Sequence, residues 1–188
     1  MIAVIGEMAV SFRKNGDGWS RSFSGLGYEW AARLRENGSD ALLLTVLPSG
    51  RIGKEMADEL VRCGIVFDPD MQRPLNPLVE IDGEWLMKGS SPVSLSTEQL
   101  TDAFSYFSDI KAVVISSALL SYNPSASSIL DAVSFMFPQP KVVIDTSLPE
   151  GEKGQDELLK KTLDSFSSSV ANLLITDKQD EILSFVRL

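Results

Sequence analysis

The chain has 188 residues, 44% hydrophobic and 23% charged, which fits one globular domain with a real core. Its 17 Lys and Arg against 26 Asp and Glu give a net charge of −9, and no basic run is present, so nucleic acid and anionic membranes are not expected as partners. The absence of histidine excludes Ser-His-Asp and Cys-His catalysis, and a lone Cys63 leaves no zinc set and no internal disulfide.

Met1 leads directly into Ile2-Ala3-Val4-Ile5-Gly6-Glu7, without the basic and apolar regions of a signal peptide. No apolar run approaches the length of a bilayer span, and the single cysteine suits a reducing compartment, so the expected location is the cytoplasm.

Residues 2–6 read as a buried first strand. Ala9 to Arg13 and Trp19 to Phe23 flank Asn15-Gly16-Asp17-Gly18, the pattern of a hairpin. Leu26, Trp30, Ala31 and Leu34 then fall on one helical face, and Asn37-Gly38 marks the helix end. Ala41 to Leu47 reads as a strand. Ile52, Met56, Leu60 and Cys63 mark a second helix, stopped by Gly64. Residues 65–91 carry Pro69, Pro74 and Pro77 and no helical period, with a hairpin signal where Leu78 to Ile81 and Trp85 to Lys88 flank Asp82-Gly83.

Alternation of strand and helix then resumes. A helix starts at Ser96-Thr97-Glu98, and Ala112 to Ile115 is a strand. Ile129, Leu130, Val133 and Phe137 belong to a helix begun near Pro124, and Val142 to Asp145 is a strand. Leu159, Leu163 and Phe166 mark a helix, Leu173 to Ile175 a strand, and Asp177 opens a short last helix. The pattern predicts a mainly parallel sheet covered on both faces, with the two hairpins (about 9–23 and 66–91) as a small β lid over the carboxyl ends of its strands. The whole of 1–188 reads as one domain.

Two segments imitate phosphate-binding loops without meeting their requirements. Gly25-Leu26-Gly27-Tyr28-Glu29-Trp30 has Trp30 where a dinucleotide fingerprint ends in glycine, and it follows a hairpin rather than a first strand. Gly50-Arg51-Ile52-Gly53-Lys54-Glu55 lacks the leading glycine of a P-loop and has Glu55 in the Ser/Thr place, so it reads as a helix start. Trp30 reads as core, whereas Trp19 and Trp85 read either as lid contacts to a ligand or as packing within the lid. Ser165, Ser167, Ser168 and Ser169 read as a helix end and loop, and Asp156, Glu157 and Asp164 as a solvated face.

The order of pieces resembles the ribokinase-like, or PfkB, family of carbohydrate kinases. The matching stretches are the strand ending Gly6-Glu7, the hairpin, and Ser24-Gly25-Leu26-Gly27-Tyr28-Glu29-Trp30-Ala31-Ala32-Arg33-Leu34. After these come Gly50-Arg51-Ile52-Gly53-Lys54 and a helix ending Cys63-Gly64-Ile65. Val142 to Asp145 is similar to the strand entering the family's Asp-x-Asn-x-Arg segment, and Asn172 to Leu183 to the segment carrying its Asn-x-x-Glu motif. The resemblance implies a three-layer α-β-α fold with a β lid. It also implies a sugar or nucleoside substrate, Mg-ATP as cosubstrate if the activity survives, and association into a homo-oligomer through lid strands or an exposed sheet edge.

By position, the resemblance places Ser11, Gly25, Gly27 and Glu29 at the substrate, and Asp177 and Asp180 where magnesium is organised. The chemistry at these places is altered. Ser11 stands for an Asp, Ser24 for the first glycine of Gly-Gly, Glu29 for an Asn and Gly50 for an Asp. Ser147 and Pro149 stand for the Asn and Arg after Asp145. The family's Gly-Ala-Gly-Asp section, with its anion hole and catalytic base, does not occur before Leu188, so no catalytic residue is assigned. The expectation is the front portion of the family fold, inactive as a kinase by itself and serving at most as a sugar-binding or interaction module. The alternatives are an ATP-dependent sugar kinase completed by another chain, or a regulatory or structural subunit.

Overall fold

The computed structural model of the chain describes residues 1–86, 93–107, 109–147 and 156–187. Met87 and Lys88 of the second hairpin, Pro149 and Leu188 lie outside the described residues, as do the side chains of Trp85 and Asp156.

In chain order, strand β1 (Ile2–Ile5) leads to β2 (Ala9–Asn15) and β3 (Gly18–Ser24), then to helix α1 (Leu26–Glu36) and strand β4 (Ala41–Leu44). Next come β5 (Leu47–Pro48), α2 (Arg51–Arg62), β6 (Val66–Phe67), β7 (Gln72–Arg73), β8 (Leu78–Ile81) and β9 (Glu84–Trp85). The remainder is α3 (Thr97–Tyr106), β10 (Ala112–Ser116), α4 (Ser117–Leu120), α5 (Ser125–Ser134), β11 (Lys141–Asp145), α6 (Asp156–Ser169), β12 (Leu173–Thr176) and α7 (Gln179–Arg187).

The main sheet runs β12-β11-β10-β1-β4-β6, and every pairing in it is parallel. Its central strands are almost wholly apolar, as a sheet buried on both faces requires. On one face Ala3, Ile5, Leu42, Val113, Ile115 and Ile144 meet Leu100 and Phe104 of α3, Ile129 and Val133 of α5, and Phe166 of α6. On the other, Val4, Leu43, Val114 and Val143 meet Trp30 and Leu34 of α1, Met56 and Leu60 of α2, and Ile182 and Val186 of α7. Each large apolar side chain so buried contributes about 1.5–3 kcal/mol relative to exposure. The α3 start is fixed by a capping box: Ser96 Oγ accepts from the Gln99 N–H at 3.2 Å, and the Gln99 side chain accepts from the Ser96 N–H at 3.1 Å.

The lid is a separate sheet ordered β3-β2-β8-β9, in which β2 pairs antiparallel with β3 and parallel with β8. Its beginning differs from the expected 66–91, because Val66-Phe67 continues the main sheet beside β4. These two apolar residues follow Ile65 into the core, and extending the parallel sheet half-buries them. The expected strand 41–47 also divides. Thr45 and Val46 leave the main sheet, and Leu47-Pro48 pairs instead with β7. An Arg21–Glu55 ion pair at 2.7 Å fastens β3 to α2. The serine run of 165–169 lies inside α6, where Ser165, Ser167 and Ser168 return their hydroxyls to carbonyls one turn back.

Gly53, in the segment that imitates a P-loop, serves packing. A Cβ there would lie 1.6 Å from the Pro48 carbonyl oxygen, so this glycine lets α2 start directly against β5. No described helix is long and apolar enough to cross a membrane.

β1 continues to β4 on one side through α1, while β10 lies on its other side, so the topological switch of the sheet falls between β1 and β10. There the backbone of α1 touches that of the β1 exit. A Cβ on Gly27 would stand 2.5 Å from Gly6 C, and one on Gly6 would stand 2.4 Å from Gly27 Cα. Neither side can yield by rotating a side chain. Gly27→Ala is expected to cost about 2 kcal/mol or more through overpacking, read as a lower urea midpoint with an unchanged slope.

Candidate functional site

The lid supplies the first part of the site. Ser11 of β2 is in register with Glu80 of β8, and Ser24 ends β3 beside Ala9. The Ser11 hydroxyl donates to Glu80 Oε1 at 3.1 Å, and the Ser24 hydroxyl donates to Oε2 at 2.7 Å. Glu80 is only 7% exposed, and its ion-pair partner Arg13 stands 3.9 Å away with its side chain 65% exposed. Glu80 is a site residue that the motifs do not mark. The only sequence signal for it is an acid sharing a strand face with Leu78, since side chains two apart point the same way.

The second part is the start of α1. Glu7, buried at the exit of β1, accepts the Leu26 N–H on Oε1 at 2.8 Å, and its carbonyl accepts the Tyr28 N–H at 3.1 Å. A helix N-terminus attracts negative charge, and here the protein provides its own. Gly25 has φ of 103°, and a Cβ there would lie 2.7 Å from the Glu7 carbonyl oxygen. Gly25 and Gly27 thus bring backbone against backbone.

Glu29, one position before Trp30 on α1, reaches the surface yet has protein along its inner side. Desolvation raises its carboxyl above the usual range, and the Glu80 charge adds to this, while Arg13 and Arg33 oppose it. The structure therefore brings Ser11, Gly25, Gly27 and Glu29 to one region, around Glu80 and Glu7.

A third part lies at the end of β11. The Trp30 indole N–H donates to Asp145 Oδ2 at 2.5 Å, and Ser147 gives both its N–H, at 2.9 Å, and its hydroxyl, at 2.7 Å, to Oδ1. Trp30 is 2% exposed, as expected of a core residue, and the Arg33 guanidinium lies 5.2 Å from the centre of its ring. A buried indole needs an acceptor, and Asp145 is that acceptor. The hydroxyls of Thr45, Ser116 and Ser117, just past β4 and at the end of β10, make no hydrogen bond among the described residues. Groups of this kind are met by water or ligand in a folded protein.

At the end of β12, Asp177 and Asp180 are exposed. The carboxylate turned back on the strand is that of Glu181, which accepts from Thr176 Oγ1 and from Lys178 Nζ, each at 2.9 Å. Lys178 and then Thr176 hold the Glu181 carboxyl below its usual range. No group of three metal-ligating side chains occurs among the described residues. Glu181 is taken up by Thr176 and Lys178, which leaves Asp177 and Asp180 as the carboxylates open to solvent at this strand end. On the lid, Trp19 is 58% exposed.

The helix carrying Glu29 and Trp30 is held to α2 by a polar cluster. The Tyr28 hydroxyl donates to Glu59 Oε1 at 2.7 Å, and Arg62 grips both oxygens of Glu59 at 2.8 and 2.6 Å. Arg62 above all holds the Glu59 carboxyl down to about 2, while burial first and then Glu59 push the Tyr28 phenol up.

Asp145→Ala is expected to leave the Trp30 N–H buried without a partner and to cost about 2 kcal/mol, measured by denaturant unfolding. The Glu59 carboxyl is depressed from an ordinary 4.5, so its stabilisation is complete above that value and is lost as pH falls toward about 2. The stability gap between the unaltered chain and Glu59→Gln is expected to be widest near neutrality and to close across that window.

No family model matches the chain, and no curated protein sequence does. Solved structures do match. The 2-dehydro-3-deoxygluconokinase of Thermotoga maritima superposes with a TM-score of 0.75 at 15% identity, over 100% of this chain and 61% of that one. An uncharacterized sugar kinase from Pyrococcus horikoshii in complex with ATP gives 0.71 at 18% identity, over 100% and 66%. The aminoimidazole riboside kinase of Salmonella enterica, complexed with aminoimidazole riboside and an ATP analog, gives 0.70 at 15% identity, over 90% and 57%. The chain thus spans less than two thirds of the length of these kinases. Its parallel sheet, its two helical layers and its β lid are the ribokinase-like fold of PfkB-type carbohydrate kinases.

Proposed function

We propose that the chain is a PfkB carbohydrate kinase-like protein that binds a sugar or nucleoside between the lid and the carboxyl ends of β1 and β10, and that it does not transfer phosphate by itself. The observation that carries the binding half is the buried Ser11–Glu80–Ser24 network, which sets polar groups where the lid overhangs the switch point of the sheet. The names of the Thermotoga and Salmonella kinases, one for a deoxygluconate and one for a riboside, support a sugar or nucleoside as the ligand class. The inactive half is supported by how the acids at the strand ends are engaged. Glu7 caps α1, Asp145 is held by Trp30 and Ser147, and Glu181 is paired with Lys178. A general base has to be within reach of the proton it takes, and both oxygens of Asp145 and of Glu181 are taken up by the protein's own donors.

One domain carries this activity, in the cytoplasm, as a homo-oligomer. Apolar lid residues Phe12 and Val79 beside an open cavity of about 460 Å³, and Ile175 on the outer strand of the main sheet, support association. A monomer at micromolar concentration in light scattering would count against it.

The test is calorimetric titration of the purified chain with Mg-ATP, D-ribose, 2-dehydro-3-deoxygluconate and aminoimidazole riboside, with product analysis. Heat from a sugar or nucleoside without phosphorylated product is the expected result. Product formed by the chain alone overturns the inactive half, and silence toward every sugar and nucleoside overturns the binding half.

A further inference from the structure

We infer that Glu80 selects the ligand of this site, and that the group presented to it is a neutral hydroxyl or a cationic amine rather than a carboxylate. This deepens the sugar-binding reading above and rests on it. The acid expected on β2 is replaced by Ser11, yet a carboxylate stands opposite on β8, 3.1 Å from the Ser11 hydroxyl. The acid has in effect moved from one lid strand to its neighbour.

Glu80 also keeps acceptor capacity. A carboxylate offers about four acceptor positions, and Ser11, Ser24 and the distant Arg13 do not fill them. Burial makes each remaining lone pair costly to leave unmet, so a hydroxyl or ammonium donor is favoured there.

The surrounding charge excludes an anion. Glu29 lies close enough to feel the charge of Glu80, and Glu7 already takes the α1 N-terminus, the place where a ligand anion would be drawn. Asp145 adds a buried negative charge at the end of β11. The facing cations are Arg13, whose side chain is mostly in solvent, and Arg33, which lies over the Trp30 ring. A carboxylate entering here meets like charge on several sides and no committed cation.

The experiment is calorimetry of the full chain with D-ribose, adenosine, D-glucosamine, D-gluconate and 2-dehydro-3-deoxygluconate. It is repeated on Glu80→Gln and on the exchange variant Ser11→Asp/Glu80→Ser, with folding checked by circular dichroism. A neutral or amine-bearing probe is expected to bind, with both acids weaker by about tenfold or more. Glu80→Gln is expected to weaken glucosamine by about tenfold, and the exchange variant, which returns a carboxylate to the same pair of positions, to recover most of that loss. Acids binding as tightly as neutral sugars overturn the proposal while leaving the sugar-binding reading intact, as does an unchanged glucosamine affinity in folded Glu80→Gln. Silence across the panel on the unaltered chain overturns the sugar-binding reading, and this proposal with it.

Discussion

The contact between Gly6 and Gly27 is the constraint on which the rest depends. Two backbones meet at a distance that admits no Cβ on either side, and this fixes the α1 start against the exit of β1. Glu7 can then reach the Leu26 N–H, and the lid hairpin, which lies between these two points in sequence, must rise from the end of the sheet. Nearly one turn further along α1, Trp30 comes to lie over the sheet and meets Asp145. A single close approach thereby sets the helix start, the root of the lid and the buried indole.

The carboxyl end of the sheet is unusual for how its acids are employed. Glu7, Asp145 and Glu181 each answer a donor supplied by the chain. Such pairs fix local geometry more than they add stability, since burying charge carries a desolvation cost that the partner must offset. Glu80 is met by hydroxyls from two lid strands, with Arg13 at 3.9 Å. Within one small region Asp145, Glu181 and Glu80 each have both carboxylate oxygens bonded, and only Glu80 draws its donors from the lid strands.

Much of the fold was legible because apolar runs and helical periods are local signals. The strands at 2–5, 112–116, 141–145 and 173–176 and the helices carrying Trp30, Met56 and Leu100 lie close to where periodicity puts them. What escaped depends on partners distant in sequence. Val66-Phe67 and Leu47-Pro48 are too short to announce themselves, and each is a strand only because another strand lies beside it. The serines of α6 look like a loop by composition, but their hydroxyls fold back onto the helix. At the site, Gly25 and Glu29 were visible through the ordered motif, whereas Glu80 was not, since no motif marks it and its meaning comes from facing Ser11. Trp30 was readable as core, but its acceptor lies 115 residues away.

The pairing of β2 with β8 also has a kinetic side. The β2–β3 hairpin closes over a short turn and needs nothing beyond itself, whereas Ser11 and Glu80 are 69 positions apart. Bringing them together means closing a long loop, and the entropy of that closure is lost before any contact offsets it. Between the two in sequence lie α1, β4 and α2, whose packing shortens the span by folding into the sheet. By closure entropy the hairpin is the less costly of the two pairings and the Glu80 strand the more costly.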